Sequence, residues 1–252
     1  MRKKVLLCSA IIDFKLFKKR IIMKKIFAVV AAMVFAMPSF AQFSSGGFSL
    51  DEESVYYGVR VGITGASLSG GTERLDGREY KTDLGMKAGM TLAGIIGLRV
   101  SHTTPLFLES GLYYTERGGK DGKYRVNYTN LELPILIKYG IKASDDIAIL
   151  PFFGPYFAQA IAGKTKQYKW GGESYTDEIE KVGTFDEKKA NTGGLSRFNM
   201  GFKLGCGVEY NKIYLEVGYQ FGVSNIGKNG PGEKLDLSAR SNALFANLGV
   251  NF

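Results

Sequence analysis

Histidine, tryptophan and cysteine are scarce in this chain, which holds one histidine, one tryptophan and two cysteines among 252 residues. His102 and Cys206 are about a hundred residues apart, and one residue of each type does not make a set of metal ligands. Beyond residue 41 there is no run of about 18 apolar residues, which excludes a protein that crosses a membrane with helices. The glycines form no phosphate-binding loop before a helix. The sequence therefore predicts neither a metal nor any other cofactor.

The excess of positive charge lies almost entirely at the N-terminus. The chain has a formal net charge of +9, and residues 1–41 hold nine basic residues against one acidic residue. Residues 42–252 are left with a net charge of +1. If the first segment is removed in the cell, the basic character that would favour a nucleic-acid partner is lost with it. No nucleic-acid binding is predicted.

This N-terminal segment has the anatomy of an export signal. A short positive stretch begins at Met23, an apolar stretch of about a dozen residues follows, and small residues precede Gln42. We predict an upstream extension before the true start at 1–22, a cleaved signal peptide at 23–41 and a flexible lead-in at 42–55. Cys206 is then the only cysteine left, which excludes an intramolecular disulfide.

The rest of the chain alternates apolar and polar residues with a period of two, the pattern of strands with two unlike faces. The 33 glycines and the aromatic content of 13% also favour strands over helices. The pattern predicts eight strands, at 56–67, 85–101, 106–116, 124–140, 147–163, 197–209, 212–225 and 242–252. The stretch 147–163 is apolar in both phases, which leaves its faces open. Pro134 lies inside a predicted strand, so we expect a bulge there.

The connections between these strands alternate between long and short. The predicted long ones are 68–84, 117–123, 164–196 and 226–241. In an up-and-down sheet all of these lie at one end, as in transmembrane barrels with long extracellular loops and short periplasmic turns. Most of the strands also reach the roughly 9–11 residues that cross a bilayer at a tilt. We therefore predict an all-β fold, an eight-stranded antiparallel up-and-down transmembrane β-barrel.

In such a barrel the polar face lines a narrow interior that side chains can fill. Buried charges are tolerated there only if they pair and form hydrogen bonds. The predicted ion-pair network consists of Arg60, Lys87, Arg99, Glu109, Glu132, Lys138, Lys203, Glu209 and Glu216. Five positive and four negative charges nearly cancel, which indicates a filled interior rather than an open pore.

A soluble periplasmic barrel with a ligand cavity is the alternative architecture. It would place the apolar face inside and the polar face in water, and the composition of the faces alone does not separate the two arrangements. The nearly uncharged apolar face, the glycine-rich opposite face and the aromatic residues near strand ends favour the membrane barrel.

Several segments resemble the PorT-like outer-membrane β-barrel family, which is related in architecture to the OmpA and OmpX barrels. The most distinctive is LELPILIKY at 131–139, and the others are 105–118, 128–140, 154–156, 201–210, 219–226 and 248–252. The resemblance covers about residues 56–252. It implies an outer-membrane barrel of a Gram-negative cell whose Phe252 is recognised by the barrel-assembly machinery. One member of the family is tied to protease secretion, and no agreed catalytic motif exists to carry over.

His102 is the only histidine that could act as a catalytic base. Eight-stranded barrels that modify lipid A pair a histidine with serine or aspartate near the outer leaflet, where a base activates a nucleophile. His102 falls instead in a predicted periplasmic turn, where a solvated side chain is expected. We predict a protein that is not an enzyme, with an outer-membrane lipid-modifying enzyme as the alternative.

The connection 164–196 is the remaining candidate for function. Its charges balance, and it holds the aromatic residues Tyr168, Trp170, Tyr175 and Phe185. Aromatic side chains amid mixed charges suit contact with an extracellular protein or glycan, while a mobile loop that only shields the surface is the alternative. The expected protein is a monomeric envelope component that contacts outer-membrane lipid, the barrel-assembly machinery and either a surface ligand or a secretion component.

Overall fold

The computed structural model describes residues 55–70, 72–75, 78–81, 83–101, 103–170, 175–185, 194–228 and 238–252. The predicted upstream extension, the signal peptide and the lead-in up to residue 54 lie outside the described residues, and so does His102. Within the described ranges, no helix is long and apolar enough to span a membrane.

The described chain forms strands joined by turns and irregular segments. The strands are β1 (Val55–Ser69), β2 (Thr72–Leu75), β3 (Arg78–Lys81), β4 (Leu84–Arg99), β5 (Leu106–Asp121), β6 (Tyr124–Tyr139), β7 (Ile141–Lys142), β8 (Ile147–Trp170), β9 (Tyr175–Gly183), β10 (Phe198–Tyr210), β11 (Ile213–Gly222) and β12 (Arg240–Asn251).

Eight of these strands form one antiparallel sheet that closes on itself. The order is β1, β4, β5, β6, β8, β10, β11 and β12. The ring is closed because β10 pairs with β8 as well as β11, and β12 pairs with β1 as well as β11. The prediction of an all-β, eight-stranded antiparallel up-and-down barrel is confirmed, and each barrel strand begins within two residues of its predicted start.

Three predicted long connections contain more sheet than the sequence indicated, and the first of them, 68–84, holds the paired strands β2 and β3. Strands β5 and β6 are separated only by residues 122 and 123, so the predicted loop at 117–123 is wrong. Gly122 makes this turn with a φ of 53°, which glycine adopts without steric cost. Strand β8 continues to Trp170 and pairs with β9, inside the predicted loop 164–196. As a result, β5, β6, β8 and β9 carry the sheet beyond the barrel rim, and we call this part the outer extension.

Pro134 does not shift the register of its strand. The register between β5 and β6 is the same before and after it, so the bulge predicted there is wrong. Proline lacks an N–H to donate but keeps its carbonyl, and Ser110 Oγ donates to Pro134 O at 2.7 Å. A register shift of β6 lies instead opposite β8, between Thr129 and Asn130.

The apolar side chains of the barrel strands point outward and the polar ones inward. On the outer face Ile63 is 68% exposed and Leu248 is 52% exposed, as expected of side chains that contact lipid. Strand β8, whose faces the sequence left open, buries Phe152 and Tyr156 and exposes Phe153. The core of the molecule is therefore the inside of the barrel.

Candidate functional site

Glu109 on β5 lies at the centre of a group of buried ion pairs. Its Oε2 is 2.8 Å from Lys138 Nζ and 3.8 Å from Arg60 Nη2. The hydroxyl of Tyr56 donates a hydrogen bond of 2.8 Å to the same oxygen. The Glu109, Lys138 and Arg60 side chains are almost completely buried. Each charge removed from water is thus compensated by opposite charges or hydrogen-bond donors.

A second acidic pair continues this network across β10, β11 and β12. Glu216 Oε1 is 3.6 Å from Lys203 Nζ and accepts a hydrogen bond of 2.7 Å from Asn247 Nδ2. Glu209 accepts a hydrogen bond of 2.9 Å from Asn251 Nδ2. The two asparagines occupy inner positions of the last strand, where they donate to carboxylates of neighbouring strands.

Aromatic rings fill the space around the cations. The cation–ring contacts are Arg60 over Tyr214 at 4.2 Å, Lys138 over Tyr214 at 4.5 Å, Lys203 over Phe245 at 4.2 Å and Lys203 over Tyr113 at 4.4 Å. Such contacts stabilise a cation more strongly when water is excluded. Together with the ion pairs, these rings form a layer of buried side chains at this level of the barrel.

Arg117 is the interior charge that the sequence analysis missed. Its Nε is 2.8 Å from Glu132 Oε1, its Nη2 donates to Gln220, and Gln220 Nε2 donates in turn to Glu132 Oε2 at 3.0 Å. Arg117 is fully buried. The signal was present in the sequence, because the inward alternation through Tyr113 and Thr115 continues to Arg117. It was lost because the strand was predicted to end at residue 116.

Lys87 and Arg99 are half-buried rather than enclosed, which corrects their predicted place in the buried network. Lys87 Nζ donates to Ala88 O at 3.3 Å, and Arg99 Nε donates to Ser101 O at 2.8 Å. Both lie towards the ends of β4, where the interior opens to water. The predicted members that are buried together are Arg60, Glu109, Glu132, Lys138, Lys203, Glu209 and Glu216. With Arg117, four positive charges face four negative ones.

Apolar side chains pack against both ends of the charged interior. At the end with the long connections, Leu68, Val126, Tyr128, Ala160 and Ile226 pack together, with Phe185 and Leu195 against them. Towards the other end, Tyr56, Phe107, Ala148, Leu150 and Tyr214 are buried among the charged side chains, and Glu209 lies opposite Ala148. The ion pairs are therefore capped by an apolar layer at one end and interleaved with buried aromatic and aliphatic side chains at the other.

The four aromatic residues predicted as a surface contact lie in different environments. Phe185 is half-buried, makes an edge contact with Tyr128 at 6.5 Å and lies under Arg197 at 4.4 Å. It belongs to the apolar cap, which corrects its predicted exposure. Tyr168 is half-buried on the outer extension. Trp170 and Tyr175 pair through their backbones across the hairpin, and their side chains lie outside the described part of the structure.

Phe252 continues the ladder between β12 and β1. Its N–H donates to Tyr57 O at 2.7 Å and its carbonyl accepts from Tyr57 N at 3.1 Å. Its side chain is exposed on the outer face. Cys206 is a free, half-buried thiol in β10. Among the side chains that the structure describes, no group of three or more His, Cys, Asp and Glu residues could hold a metal ion.

A closed antiparallel barrel with an apolar outer surface and a filled polar interior defines an outer-membrane β-barrel protein. The chain belongs to the family described as outer membrane protein beta-barrel domain, whose model matches residues 40–227, about three quarters of the sequence. Membership of this family indicates an outer-membrane location. No curated protein matches the chain.

Three solved structures illustrate what the chain is similar to. Neisserial surface protein A is 18% identical with a TM-score of 0.41, and covers 79% of this chain and 100% of its own. OprG from Pseudomonas aeruginosa is 12% identical with a TM-score of 0.38, covering 81% and 99%. Ail, the attachment invasion locus protein of Yersinia pestis, is 11% identical with a TM-score of 0.33, covering 79% and 100%.

Proposed function

We propose that the protein is a non-enzymatic surface component of the outer membrane, of the PorT-like kind. In this proposal the barrel is a sealed, monomeric anchor, and the outer extension is the part that meets partners outside the cell. The observation that supports it is the interior of the barrel, where eight basic and acidic side chains, seven of them in ion pairs and Glu209 hydrogen-bonded to Asn251, are each at most 2% exposed. An interior so filled does not provide a path for solutes, so function has to lie on the surface.

The orientation follows from the connections. Three short connections and Phe252 lie at one end of the barrel, and the outer extension lies at the other. Outer-membrane barrels have short periplasmic turns and longer extracellular connections. The outer extension is therefore assigned to the cell exterior.

The β8–β9 hairpin is the proposed contact for a protein, glycan or secretion component. Among the described residues β9 pairs with β8 alone, so its other edge offers backbone groups to an extended partner segment. Tyr168 lies on this hairpin, and Trp170 and Tyr175 flank its turn. Aromatic residues beside a free strand edge are a common basis for peptide recognition.

Shortening the hairpin tests this contact without opening the barrel. Residues 168–179 are replaced by Asn-Gly, which retains the Gln167↔Glu180 pair at the new turn. We expect heat-modifiability in SDS gels to be unchanged and cross-linking to envelope or secretion partners on intact cells to be lost. The control is Lys142→Gln in β7, at the opposite end of the barrel, which is expected to leave cross-linking unchanged. Retained cross-linking in the shortened protein would contradict the proposal.

Conductance in planar bilayers tests the sealed interior. The purified protein is expected to give no sustained single-channel steps, since the ion pairs and the buried side chains packed around them fill the interior. Steps that persist and scale with salt concentration would show an open pore and would overturn the anchor proposal.

A further inference from the structure

Four basic residues stand side by side across the outer extension. The register places Lys120 of β5 opposite Arg125 of β6, Arg125 opposite Lys166 of β8, and Lys166 opposite Lys181 of β9. Directly opposite residues in a sheet have Cβ atoms about 5 Å apart, and like charges in these positions destabilise the pairing. Four adjacent cations therefore indicate that a negatively charged group outside the sheet offsets their repulsion. We call them the basic row.

All four side chains belong to the face that continues the lipid-facing side of the barrel. Two rungs lower on that face Glu116 opposes Thr129, and three rungs lower Tyr114 opposes Leu131, both of which point outward. In β8 the odd-numbered side chains point outward up to Ile161, which has no partner in β6, and the even-numbered ones point outward after it. This register shift places Lys166 on the outer face. Lys120, Arg125 and Lys181 are exposed and Lys166 is half-buried.

The charges of the basic row are not neutralised by the rest of the described chain. No described carboxylate forms an ion pair with any of the four, and Lys164, one rung lower on the same face, adds a fifth positive charge. Glu178 and Glu180 of the hairpin point to the opposite face, where Glu178 pairs with Lys169 at 3.0 Å and Glu180 accepts from Gln167 at 2.8 Å. Among the described side chains, these two carboxylates therefore do not offset the charge of the basic row.

The height of the basic row matches a layer of lipid headgroups. Lys120 lies six residues beyond the outward Tyr114 in β5. At about 3.3 Å per residue and a tilt of about 40°, this places the row roughly 15 Å above the last apolar rung, and Lys164 roughly 10 Å above it. Long basic side chains extend several ångströms further towards a membrane surface.

We propose that the basic row, with Lys164, binds the phosphate groups of the glycolipid that forms the outer leaflet. Phosphate oxygens accept charge-assisted hydrogen bonds from Lys and Arg, and a ladder of cations spaced about 5 Å apart matches a surface that carries many phosphates. Binding removes the repulsion between the four cations, which accounts for their place in the sheet. The assignment rests on the orientation proposed above, with the outer extension outside the cell.

The test measures binding of bis-phosphorylated lipid A to the detergent-solubilised full protein by titration at about 0.1 M salt. The variant R125Q/K166Q removes the two central charges of the row. Each basic residue near an anionic surface contributes roughly a fivefold factor, so we expect affinity to fall about 25-fold. The matched control K142Q/K212Q removes two charges in the short turns at the other end and is expected to bind as the parent protein does.

Dephosphorylated lipid A and inorganic phosphate are used to distinguish binding of the lipid's phosphate groups from binding of its acyl chains and from binding of free phosphate. Dephosphorylated lipid A is expected to bind weakly to all variants, and inorganic phosphate is expected not to displace lipid A at equal concentration. Equal binding of the dephosphorylated lipid, displacement by inorganic phosphate, unchanged affinity of R125Q/K166Q, or an equal loss in the control would each overturn the proposal.

Orientation is checked separately. In a Cys206→Ala background, Lys169→Cys is expected to react with an impermeant thiol reagent on intact cells. Labelling only after the outer membrane is opened would disprove the orientation, and with it the proposal of a leaflet site, even if purified protein binds lipid A.

Discussion

At the scale of single residues, the stability of the barrel depends on side chains that satisfy each other in the interior. Arg117 and Glu132 form such a pair, with Gln220 bonded to both. Removing one partner leaves the other as an uncompensated buried charge, whereas replacing both by neutral groups avoids that cost.

For Arg117→Met we expect the free energy of unfolding, measured by urea titration in lipid vesicles, to fall by about 3–5 kcal/mol. The double variant R117M/E132Q is expected to recover more than half of this loss. Arg125→Met, at an exposed arginine on the neighbouring strand, is the control and is expected to change the free energy by less than about 0.5 kcal/mol. A double variant as unstable as R117M would show that the pair is not what stabilises this level of the barrel.

Gly97 makes room for an aromatic ring. A Cβ at this position would lie 2.1 Å from the ring of Tyr56, which pairs with Gly97 across β1 and β4 and donates to Glu109. We expect Gly97→Ala to destabilise the barrel by about 1–3 kcal/mol, as overpacking does. Gly85→Ala, whose added Cβ would lie 3.3 Å from Lys120 O, is the control, and a loss of equal size in both would contradict this explanation.

At the scale of elements, the two halves of β8 differ in how they are held. Its first half pairs with β6 on one side and β10 on the other, and its second half pairs with β6 and β9. Strand β9 is paired on one side among the described residues, and in the proposed orientation it lies outside the membrane. Local opening is easier where backbone hydrogen bonds are few and exposed.

Hydrogen exchange monitored by mass spectrometry should separate these segments. Amides of 149–158 are expected to exchange at least about a hundredfold more slowly than amides of 175–183, since the former open only with the barrel. Peptides from β12 supply the internal reference, because that strand is paired on both sides. Equal protection of β9 and the lower half of β8 would show that a further partner covers the free edge of β9.

The alternation of the sequence predicted the eight barrel strands because a sheet between lipid and a polar interior separates residue types strictly. The same reasoning failed at two points. The strand that carries Arg117 was predicted to end at residue 116 and continues in the structure to Asp121. In β8, both phases are apolar, and the register shift after Ala160 changes which residues point outward. Local composition contains no signal for such a shift, so the basic row was visible only from the register.

At the scale of the whole molecule, we predict that export depends on the signal peptide at 23–41 and barrel assembly on Phe252. If residues 23–41 are removed as predicted, the intact mass of protein purified from outer membranes corresponds to a chain that starts at Gln42. A mass that includes this segment would disprove the cleavage. Refolding of the same material into vesicles shows whether the mature chain is sufficient to form the barrel.

Phe252 is expected to matter for assembly more than for stability. Its backbone is paired with Tyr57, and its exposed side chain contacts the surroundings of the barrel. For Phe252→Ala we expect a several-fold lower level of folded protein in cells, with heat-modifiability of the folded fraction unchanged. Phe221→Ala, at another outward aromatic residue, is the control. Equal losses in both variants would indicate a general effect of the lipid-facing surface.

The equal numbers of positive and negative side chains in the interior have an electrical consequence. A Donnan potential across the outer membrane acts on every fixed charge in the barrel, with an energy of about 2.3 kcal/mol per charge for a full 100 mV. On the four basic and four acidic side chains enclosed together, the forces oppose one another and largely cancel. Dilution or concentration of the medium outside the cell therefore acts mainly on the charges at the ends of the barrel, such as Lys87 and Arg99, rather than on its filled interior.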